Sequence, residues 1–243
     1  MELWMNKKLN LFVLLLVVSA LAFTSCKKDN NELTSGGTAV PGDSSGTIDG
    51  HEYVDLGLPS GILWATCNIG ADSPEDYGSY FAWGETETKN AYNRRTYKWC
   101  GEDYDKVTKY NTDSDCGTVD EKTVLDPEDD AAHKNWGEGW RMPTREEMDE
   151  LKRCCSWRWT IQNGVKGKKV TGPNGKYIFL PVAGFYNDDG LINVGSYGYY
   201  WSSSLSDRDP RNASYLYFYS ANVSVSNIFR FFGKSVRPVC NPQ

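Results

Sequence analysis

The feature that most constrains the fold is an alternation of side-chain types near the end of the chain. In residues 215–219, Leu216 and Phe218 alternate with three tyrosines, and residues 222–226 alternate valine with Asn or Ser in the same way. Because successive side chains of a β-strand point to opposite faces, the two segments predict a β-hairpin with one apolar face. The side chains expected on the other face are Tyr215, Tyr217, Tyr219, Asn222, Ser224 and Ser226.

The alternation stops in residues 227–233, where large apolar side chains surround Arg230. One interpretation is a buried loop that packs Ile228, Phe229, Phe231 and Phe232 into the core. The other is an exposed patch of aromatic residues and arginine, the composition of binding hot spots. The tyrosines likewise either cover another element or form a surface. Tyr, Ser and Asn dominate antibody binding loops, so we expect a ligand-binding surface here, with Trp201 and Arg230 flanking or supporting it.

The other end of the chain has the pattern of an export signal. Lys7 and Lys8 precede an almost unbroken apolar run in residues 9–23. The run is followed by small residues, as in secretory signal peptides, and is shorter than a membrane span of roughly 20 apolar residues. Residues 23–26, Phe-Thr-Ser-Cys, resemble a lipoprotein processing site. We therefore expect a signal peptide at 1–25, lipidation of Cys26 and a lipid-anchored, surface-exposed location on the outer membrane; the alternative is a secreted protein with an incidental cysteine.

Residues 26–49 are polar, then rich in Gly, Ser and Thr without periodicity, which predicts a flexible tether. Residues 50–243 are long enough for one domain with a sizeable core. The net charge of −6 argues against a nucleic-acid partner. The cysteines after Cys26 contain no C-x-x-C pair and the chain has 2 histidines, so we expect no zinc, no other metal and no cofactor.

Two segments have helix-start signals. Asp126 is a candidate N-cap before Pro127, with a helix expected to end near residue 136. The acidic run 126–130 also suggests a metal site, although its role as a helix start explains it better. Thr144 and Glu147 form a capping box for a second helix. Short strands are expected at 62–69, 156–160, 165–171, 177–183, 195–203 and 235–240, and the mixture predicts an α+β class.

Several motifs resemble a known family. Residues 140–148, Trp-Arg-Met-Pro-Thr-Arg-Glu-Glu-Met, resemble the helix-start motif of the C-type-lectin-like branch that includes formylglycine-generating enzymes. Residues 53–57, 60–67, 80–85, 199–204 and 233–239 resemble the "major paralogous" domain of anaerobe lipoproteins. The resemblance implies a C-type-lectin-like (formylglycine-generating-enzyme-like) fold with two helices and short antiparallel sheets. Such folds bring their termini together, which suggests a Cys67–Cys240 disulfide.

The C-terminal stretch is similar to the variable proteins of diversity-generating retroelements, in which a reverse transcriptase rewrites adenines, mostly in AAC codons. The resemblance implies a variable region at about 213–233 and a fixed scaffold at Arg230, Gly233 and 235–239. The residues reachable from AAC, which we predict to bind ligand, are Ser214, Tyr215, Tyr217, Tyr219, Asn222, Ser224, Ser226, Asn227, Ile228, Phe229, Phe231 and Phe232.

These patterns predict a surface-displayed, lipid-anchored ligand-binding protein that is not an enzyme and has no catalytic residues. Its expected partner is an unknown protein or glycan on another cell, host or phage surface, with the membrane contacted only through the lipid anchor. One alternative is a glycan-binding adhesin of the same fold, although the tripeptides that hold calcium in such lectins are absent. The other is a formylglycine-generating-type oxidase, although the chain end lacks the cysteine motif of that chemistry.

Overall fold

The computed structural model describes residues 45–101, 103 and 105–242. The predicted signal peptide at 1–25 and the lipidation of Cys26 lie outside the described residues. Within the described part, short antiparallel sheets predominate and two α-helices accompany them, which confirms the α+β class. No helix in the described ranges is long and apolar enough to cross a membrane.

Twelve strands are present in the described part of the chain. The first six are β1 Gly46–Ile48, β2 His51–Asp55, β3 Leu63–Ala65, β4 Ser156–Gln162, β5 Val165–Thr171 and β6 Tyr177–Pro181. The other six are β7 Phe185–Asn187, β8 Gly190–Ile192, β9 Gly198–Leu205, β10 Asn212–Phe218, β11 Val223–Phe229 and β12 Val239–Cys240. They form four sheets, with orders β1-β2-β3-β12, β11-β10-β9, β4-β5-β6 and β7-β8.

The first sheet joins both ends of the domain, because β12 pairs with β3 at the sheet edge opposite β1. Strand β1 lies within residues 26–49, which the sequence predicts to be a flexible tether. It pairs with β2 in a tight hairpin, and the Tyr53 ring lies over Gly46, where a Cβ atom would collide with it. The ordered domain therefore includes Ser45 and starts before residue 50. Cys67 and Cys240 are not joined by a disulfide.

The two helices differ in how well the sequence predicts them. Helix α2 (Arg145–Cys154) has the capping box of Thr144 and Glu147, as expected. The other expected helix is divided: a 3-10 turn covers Pro127–Asp129, and helix α1 (Ala131–Trp136) follows. Asp126 makes no side-chain cap, whereas the Asp130 carboxylate accepts hydrogen bonds from the backbone of Ala132 and His133.

Sheet β9–β10–β11 lies between two parts of the core. On one side, Leu216 and Phe218 join an apolar cluster that includes Met148 and Leu151 of α2. Phe218 packs over Gly198, where any Cβ atom would clash with its ring. On the other side, the alternate residues of the same sheet meet a tryptophan-rich cluster that includes Trp201. The sheet therefore separates two apolar clusters, and its second side carries Tyr215, Tyr217, Ser224 and Ser226, which the alternation predicts to share one face.

Candidate functional site

The predicted hairpin is present. β10 and β11 pair in antiparallel register with Tyr217 opposite Ser224 and Tyr215 opposite Ser226. β9 adds a third strand, which places Tyr199 beside Tyr217 and Trp201 beside Tyr215. Rows of side chains therefore cross all three strands on one side of the sheet. We call this side the tyrosine face; it comprises Tyr197, Tyr199, Tyr215, Tyr217, Tyr219, Ser224 and Ser226.

The tyrosine rings stand next to one another at shallow angles. Tyr199 lies 6.4 Å from Tyr217 at 23° and 5.9 Å from Tyr197 at 18°, measured between ring centroids and ring planes. Tyr215 lies 5.6 Å from Tyr217 at 29°. Tyr219, beyond the end of β10, lies 5.2 Å from Tyr197. Neighbouring rings therefore hold one another in place, which limits the entropy that a bound partner would have to remove.

The twelve predicted binding residues fall into three groups by exposure. Asn222 is exposed, at the turn of the hairpin. The half-buried ones are Tyr217, Tyr219, Ser224, Ser226, Asn227, Ile228, Phe229 and Phe232. Ser214, Tyr215 and Phe231 are buried, with exposed fractions of 0%, 8% and 9%. Burial raises the pKa of the Tyr215 phenol to about 12, with a smaller contribution from neighbouring tyrosines.

Ser214 and Asn227 lie on the other side of the sheet, where they face helix α2. The Ser214 hydroxyl donates to the Asn227 amide oxygen at 2.7 Å, and Arg145 donates to both oxygens at 3.2 Å. These contacts fix the start of α2 against the hairpin. The structure therefore does not support the prediction that Ser214 contacts a ligand: its side chain is inaccessible because the sheet and helix cover it.

The last residue of β11 and the residues after it form an aromatic cluster of Phe229, Phe231 and Phe232. Phe229 and Phe231 stack in parallel, with centroids 5.2 Å apart at 13°, and Phe232 meets Phe231 edge to face at 4.7 Å. The Arg94 guanidinium lies over both stacked rings, 5.2 and 5.7 Å from their centroids. The cluster is therefore partly core, as the first interpretation of this segment held, and partly surface, as the second held.

Arg230 is the centre of the scaffold beneath this cluster. It is 1% exposed, and its guanidinium donates hydrogen bonds of 2.9–3.0 Å to the Tyr97 hydroxyl and to three backbone carbonyls. The carbonyls belong to Lys109, Tyr110 and Pro210. Because one side chain joins three separated segments, Arg230 fixes where the aromatic cluster sits, in agreement with its predicted supporting role.

Lys234 lies below the tyrosine face. Unlike Arg230, it is surrounded by aromatic rings and not by hydrogen-bond acceptors. It is fully buried, and in the described part of the chain its Nζ atom is one of two buried side-chain nitrogens without a hydrogen-bond partner. Five rings surround Nζ, with centroids 4.4–5.8 Å away. They belong to Phe185, Tyr199, Trp201, Tyr215 and Phe232.

Burial drives the pKa of the Lys234 amine well below its ordinary value. The five rings favour the charged form, whereas the desolvation of an ion costs several kcal/mol and opposes it. Burial therefore disfavours the protonated amine, and the floor of the tyrosine face is lined by aromatic rings.

The acidic residues Asp126, Glu128 and Asp129 form ion pairs with lysines. Lys109 Nζ lies 2.7 Å from Asp126 and 2.6 Å from Asp129, and Lys98 lies 3.0 Å from Asp129. Asp126, Glu128 and Asp129 bring their carboxylates within 4.8 Å of one another. Burial opposes ionisation of Asp129, but the hydrogen bonds from Lys109, Tyr110 and Lys98 lower its pKa. Lys122 Nζ also lies 2.5 Å from Asp126, so three ammonium groups face the three carboxylates. The network links residues 98–110 to the segment before α1.

Sequence reasoning missed Tyr197, Tyr199 and Arg94 as parts of this surface. Tyr197 and Tyr199 are two residues apart in the strand predicted at 195–203. Their spacing therefore indicated that both side chains lie on the same face of that strand. Arg94 had no such signal, because it comes from a 3-10 turn, Arg94–Thr96, in an irregular stretch.

No protein-family model, curated protein or solved structure gives a significant match to this chain.

Proposed function

We propose that this chain is a lipid-anchored, surface-displayed binding protein that holds its ligand on the tyrosine face and the adjoining aromatic cluster. The observation that carries the proposal is the three-stranded sheet, which gathers Tyr217, Tyr219 and Ser224 in one partly exposed surface. Tyr supplies rigid contact area and Ser supplies adaptable hydrogen bonds, as in antibody binding sites. The scaffold below this surface is held by backbone pairing and by Arg230, which is independent of the surface side chains.

We further propose that the domain has a C-type-lectin-like fold and that residues of the hairpin are diversified by a retroelement. The support for the fold is the motif order, with a capped helix α2 after residues 140–144 and terminal strands in one sheet. The support for diversification is that Tyr217, Asn222 and Ser224 are AAC-reachable and that the backbone pairing of the hairpin does not use their side chains. Sequencing the flanking DNA tests this: a near-identical repeat with adenines at these codons beside a reverse-transcriptase gene is expected, and absence of both contradicts it.

The chain is proposed to be non-catalytic. The formylglycine-generating alternative needs a reactive cysteine near the chain end, and Cys240 is the residue in that region. Its side chain is 1% exposed, and burial raises the pKa of its thiol to about 11. A thiol that stays protonated at neutral pH is a poor nucleophile. Copper-dependent turnover of a cysteine peptide by the purified full chain would contradict this part of the proposal.

The binding function is tested by selecting a ligand against the purified full chain from a displayed peptide library and from a glycan array. The triple variant Tyr217→Ala, Tyr219→Ala, Ser224→Ala is expected to weaken the selected ligand by about 100-fold, since hot-spot truncations cost about 2 kcal/mol or more. The matched control is Tyr177→Ala on β6, outside the tyrosine face. Equal binding by the triple variant and the parent chain would place the ligand elsewhere.

A glycan is the second candidate ligand, because partly exposed aromatic rings also contact sugars. The ring geometry favours a protein, since Tyr197, Tyr199 and Tyr217 cover part of one another's faces. A glycan-array signal that persists with a chelator and is lost in the triple variant would replace the protein ligand by a calcium-independent glycan.

A further inference from the structure

Strand β4 forms an open edge of its sheet. Among the twelve described strands it pairs with β5 alone, because the order of the sheet is β4-β5-β6. Its 7 residues pair with β5 in unbroken register, up to a two-residue turn of Asn163 and Gly164 in which both φ angles are positive. A long strand at the edge of a regular sheet is a template for pairing with a further strand.

The pairing pattern shows which backbone groups face this edge. Gln162 and Val165 flank the two-residue turn and form a hydrogen-bonded pair, and such pairs alternate with non-hydrogen-bonded pairs along the strands. Ile161 and its partner Lys166 are therefore a non-hydrogen-bonded pair. The Lys166 carbonyl accordingly accepts from the Val182 N–H at 3.1 Å, on the β6 side. Every second residue of β4, counted from Ile161, thus directs its N–H and C=O away from β5.

Three residues of β4 direct backbone groups outward: Trp157, Trp159 and Ile161. In the part of the chain that the structure describes, no hydrogen bond reaches these groups. The Trp157 and Trp159 side chains pack into the cluster of Phe218, which lies on the side of the β9–β10–β11 sheet opposite the tyrosine face. Ile161 is 62% exposed. The open edge therefore offers three donors and three acceptors beside an exposed apolar side chain.

The sequence around this edge is basic, although the whole chain has a net charge of −6. Between Glu150 and Asp188 there is no acidic residue, and the basic residues are Lys152, Arg153, Arg158, Lys166, Lys168, Lys169 and Lys176. The ion pairs of the described residues include none of these. Glu75 contacts the turn from another segment, but it accepts hydrogen bonds from the Gln162 and Asn163 amides. Ion pairs within the described chain therefore do not neutralise this sheet.

Arg158 and Lys169 bring like charges together at the edge. They lie directly opposite each other, on the face of the sheet away from Trp157 and Trp159, and like charges in such a pair are destabilising. Lys169 Nζ lies 3.7 Å from the centre of the Tyr177 ring, whereas the Arg158 side chain is exposed. An antiparallel strand added outside β4 would meet Arg158 in a non-hydrogen-bonded pair, where opposing side chains are closest. A carboxylate at that position would offset the repulsion.

We propose that the open edge of β4 binds an extended, acidic segment of a protein partner as an additional antiparallel strand, with an Asp or Glu side chain opposite Arg158. Backbone hydrogen bonds give such a strand its affinity, and the charge opposite Arg158 gives selectivity. This surface is separate from the tyrosine face, so the inference goes beyond the proposed function and does not depend on it.

A second copy of the chain fits this edge less well. Antiparallel pairing of β4 with itself would cover Ile161, but neither β4 nor β5 contains an acidic residue. Each Arg158 would meet neutral or basic side chains, and two basic sheets would be joined against their repulsion. Charged side chains are one means by which natural edge strands avoid self-association. The charge pattern therefore favours an acidic partner over a dimer.

The test uses the purified full chain and a ten-residue peptide of alternating Thr and Glu, with alternating Thr and Gln as the reference. Binding and amide hydrogen exchange are followed by NMR. We expect the Thr–Glu peptide to bind more tightly and to protect the N–H groups of Trp157, Trp159 and Ile161 from exchange. The Thr160 N–H, which already bonds to β5, is the internal reference and should change little. Binding without protection of the three outward N–H groups would overturn strand addition.

Arg158→Gln tests the charge. It should weaken Thr–Glu peptide binding about two- to five-fold, the size of a cross-strand charge pair, and leave Thr–Gln peptide binding unchanged. The matched control Arg208→Gln makes the same charge change at an exposed position between β9 and β10 and should alter neither. Equal weakening by both variants would show a response to net charge alone and remove the carboxylate opposite Arg158.

Ile161→Pro tests the backbone. It removes one outward N–H without removing a bond to β5, so it should weaken the Thr–Glu peptide about two- to ten-fold, as for one lost hydrogen bond. Ile161→Thr keeps the N–H and is the matched control, expected to bind like the parent. Thermal midpoints and continued exchange protection of the Gly167 N–H check that the hairpin is intact. The exchange experiment on the parent chain decides the question even if the proline variant does not fold.

Three further outcomes separate the alternatives. A concentration-dependent dimer of the free chain that Ile161→Pro abolishes would assign the edge to a second copy. Equal affinity for the Thr–Glu and Thr–Gln peptides would remove the acidic partner. The triple variant Tyr217→Ala, Tyr219→Ala, Ser224→Ala should bind the Thr–Glu peptide as the parent does, and loss of binding in that variant would contradict a separate surface.

Discussion

Arg230 and Lys234 are buried to the same degree, 1% and 0% exposed, in adjoining regions under the proposed binding surface. Arg230 donates to three carbonyls and a hydroxyl, whereas Lys234 Nζ has five aromatic rings around it and no hydrogen-bond partner. A guanidinium remains charged in proteins, whereas desolvation lowers the pKa of an amine. The aromatic cluster is therefore anchored by a cation whose hydrogen bonds are satisfied, while the tyrosine face rests on an amine whose protonated form is disfavoured by burial.

The largest expected effect is from Arg230→Met. Removing the guanidinium leaves buried carbonyls of Lys109, Tyr110 and Pro210 without donors, so the free energy of unfolding should fall by about 3–5 kcal/mol. Urea denaturation measures this. Arg153→Met, on the exposed surface of α2, is the control and should stay within about 0.5 kcal/mol of the parent. A loss below about 1 kcal/mol for Arg230→Met would mean that its hydrogen bonds do not hold the scaffold.

Lys234→Met should act in the opposite direction. Methionine has a similar length and fills the ring-lined space without a buried unsatisfied amine, whose cost is about 1–3 kcal/mol. We therefore expect the free energy of unfolding at pH 7 to rise by that amount in the same denaturation experiment. Destabilisation by this substitution would show that the amine makes a favourable interaction, and the contrast with Arg230 would then fail.

The stabilisation by Lys234→Met should also depend on pH. The folded-state pKa of Lys234 is lowered, so the unfolded chain binds more protons between that pKa and the ordinary lysine value. The parent's stability therefore rises with pH relative to the variant, by at most about 1.4 kcal/mol per pH unit. The titratable groups facing Nζ are Tyr199 and Tyr215, whose pKa values burial raises, so they stay neutral between pH 6 and 9. A constant difference between the two proteins over that range would contradict a lowered pKa of Lys234.

The smallest expected effect on stability is from Tyr217→Ser. Its ring is half-buried on the tyrosine face and lies outside the five-ring set around Lys234, so unfolding free energy should fall by about 1 kcal/mol or less. Phe218→Ala, one residue further on the opposite side of the sheet, should cost about 3–5 kcal/mol because it empties a fully buried site. Similar losses for the two variants would mean that the tyrosine face is part of the core.

The sequence predicted those elements whose signals are local. The capping box at Thr144, the alternation in residues 215–226 and the strand Val165–Thr171 depend on a few neighbouring residues, and the structure has all three. The N-cap of α1 was wrong because both Asp126 and Asp130 have suitable side chains, and only tertiary contacts with Met142 select Asp130.

The site was less predictable, because the burial of its members depends on contacts between distant segments. Nothing near Lys234 in the sequence indicates that Phe185, Trp201 and Tyr215 surround it. Burial of Phe231 depends in the same way on Tyr92 and Tyr97, which belong to an irregular stretch without periodicity. Alternation therefore identified the face of each residue, and it could not identify what covers that face.

Because of the pairing register of β10 and β11, substitutions and deletions should affect this hairpin differently. Substitutions at Tyr217 or Ser224 alter one side of the sheet and leave every backbone hydrogen bond in place. Deletion of a single residue within β10 would move Leu216 and Phe218 to the tyrosine face and bring tyrosines under α2, because a one-residue slip exchanges the two sides of a strand. This hairpin should therefore accept many substitutions at its surface positions but almost no insertion or deletion.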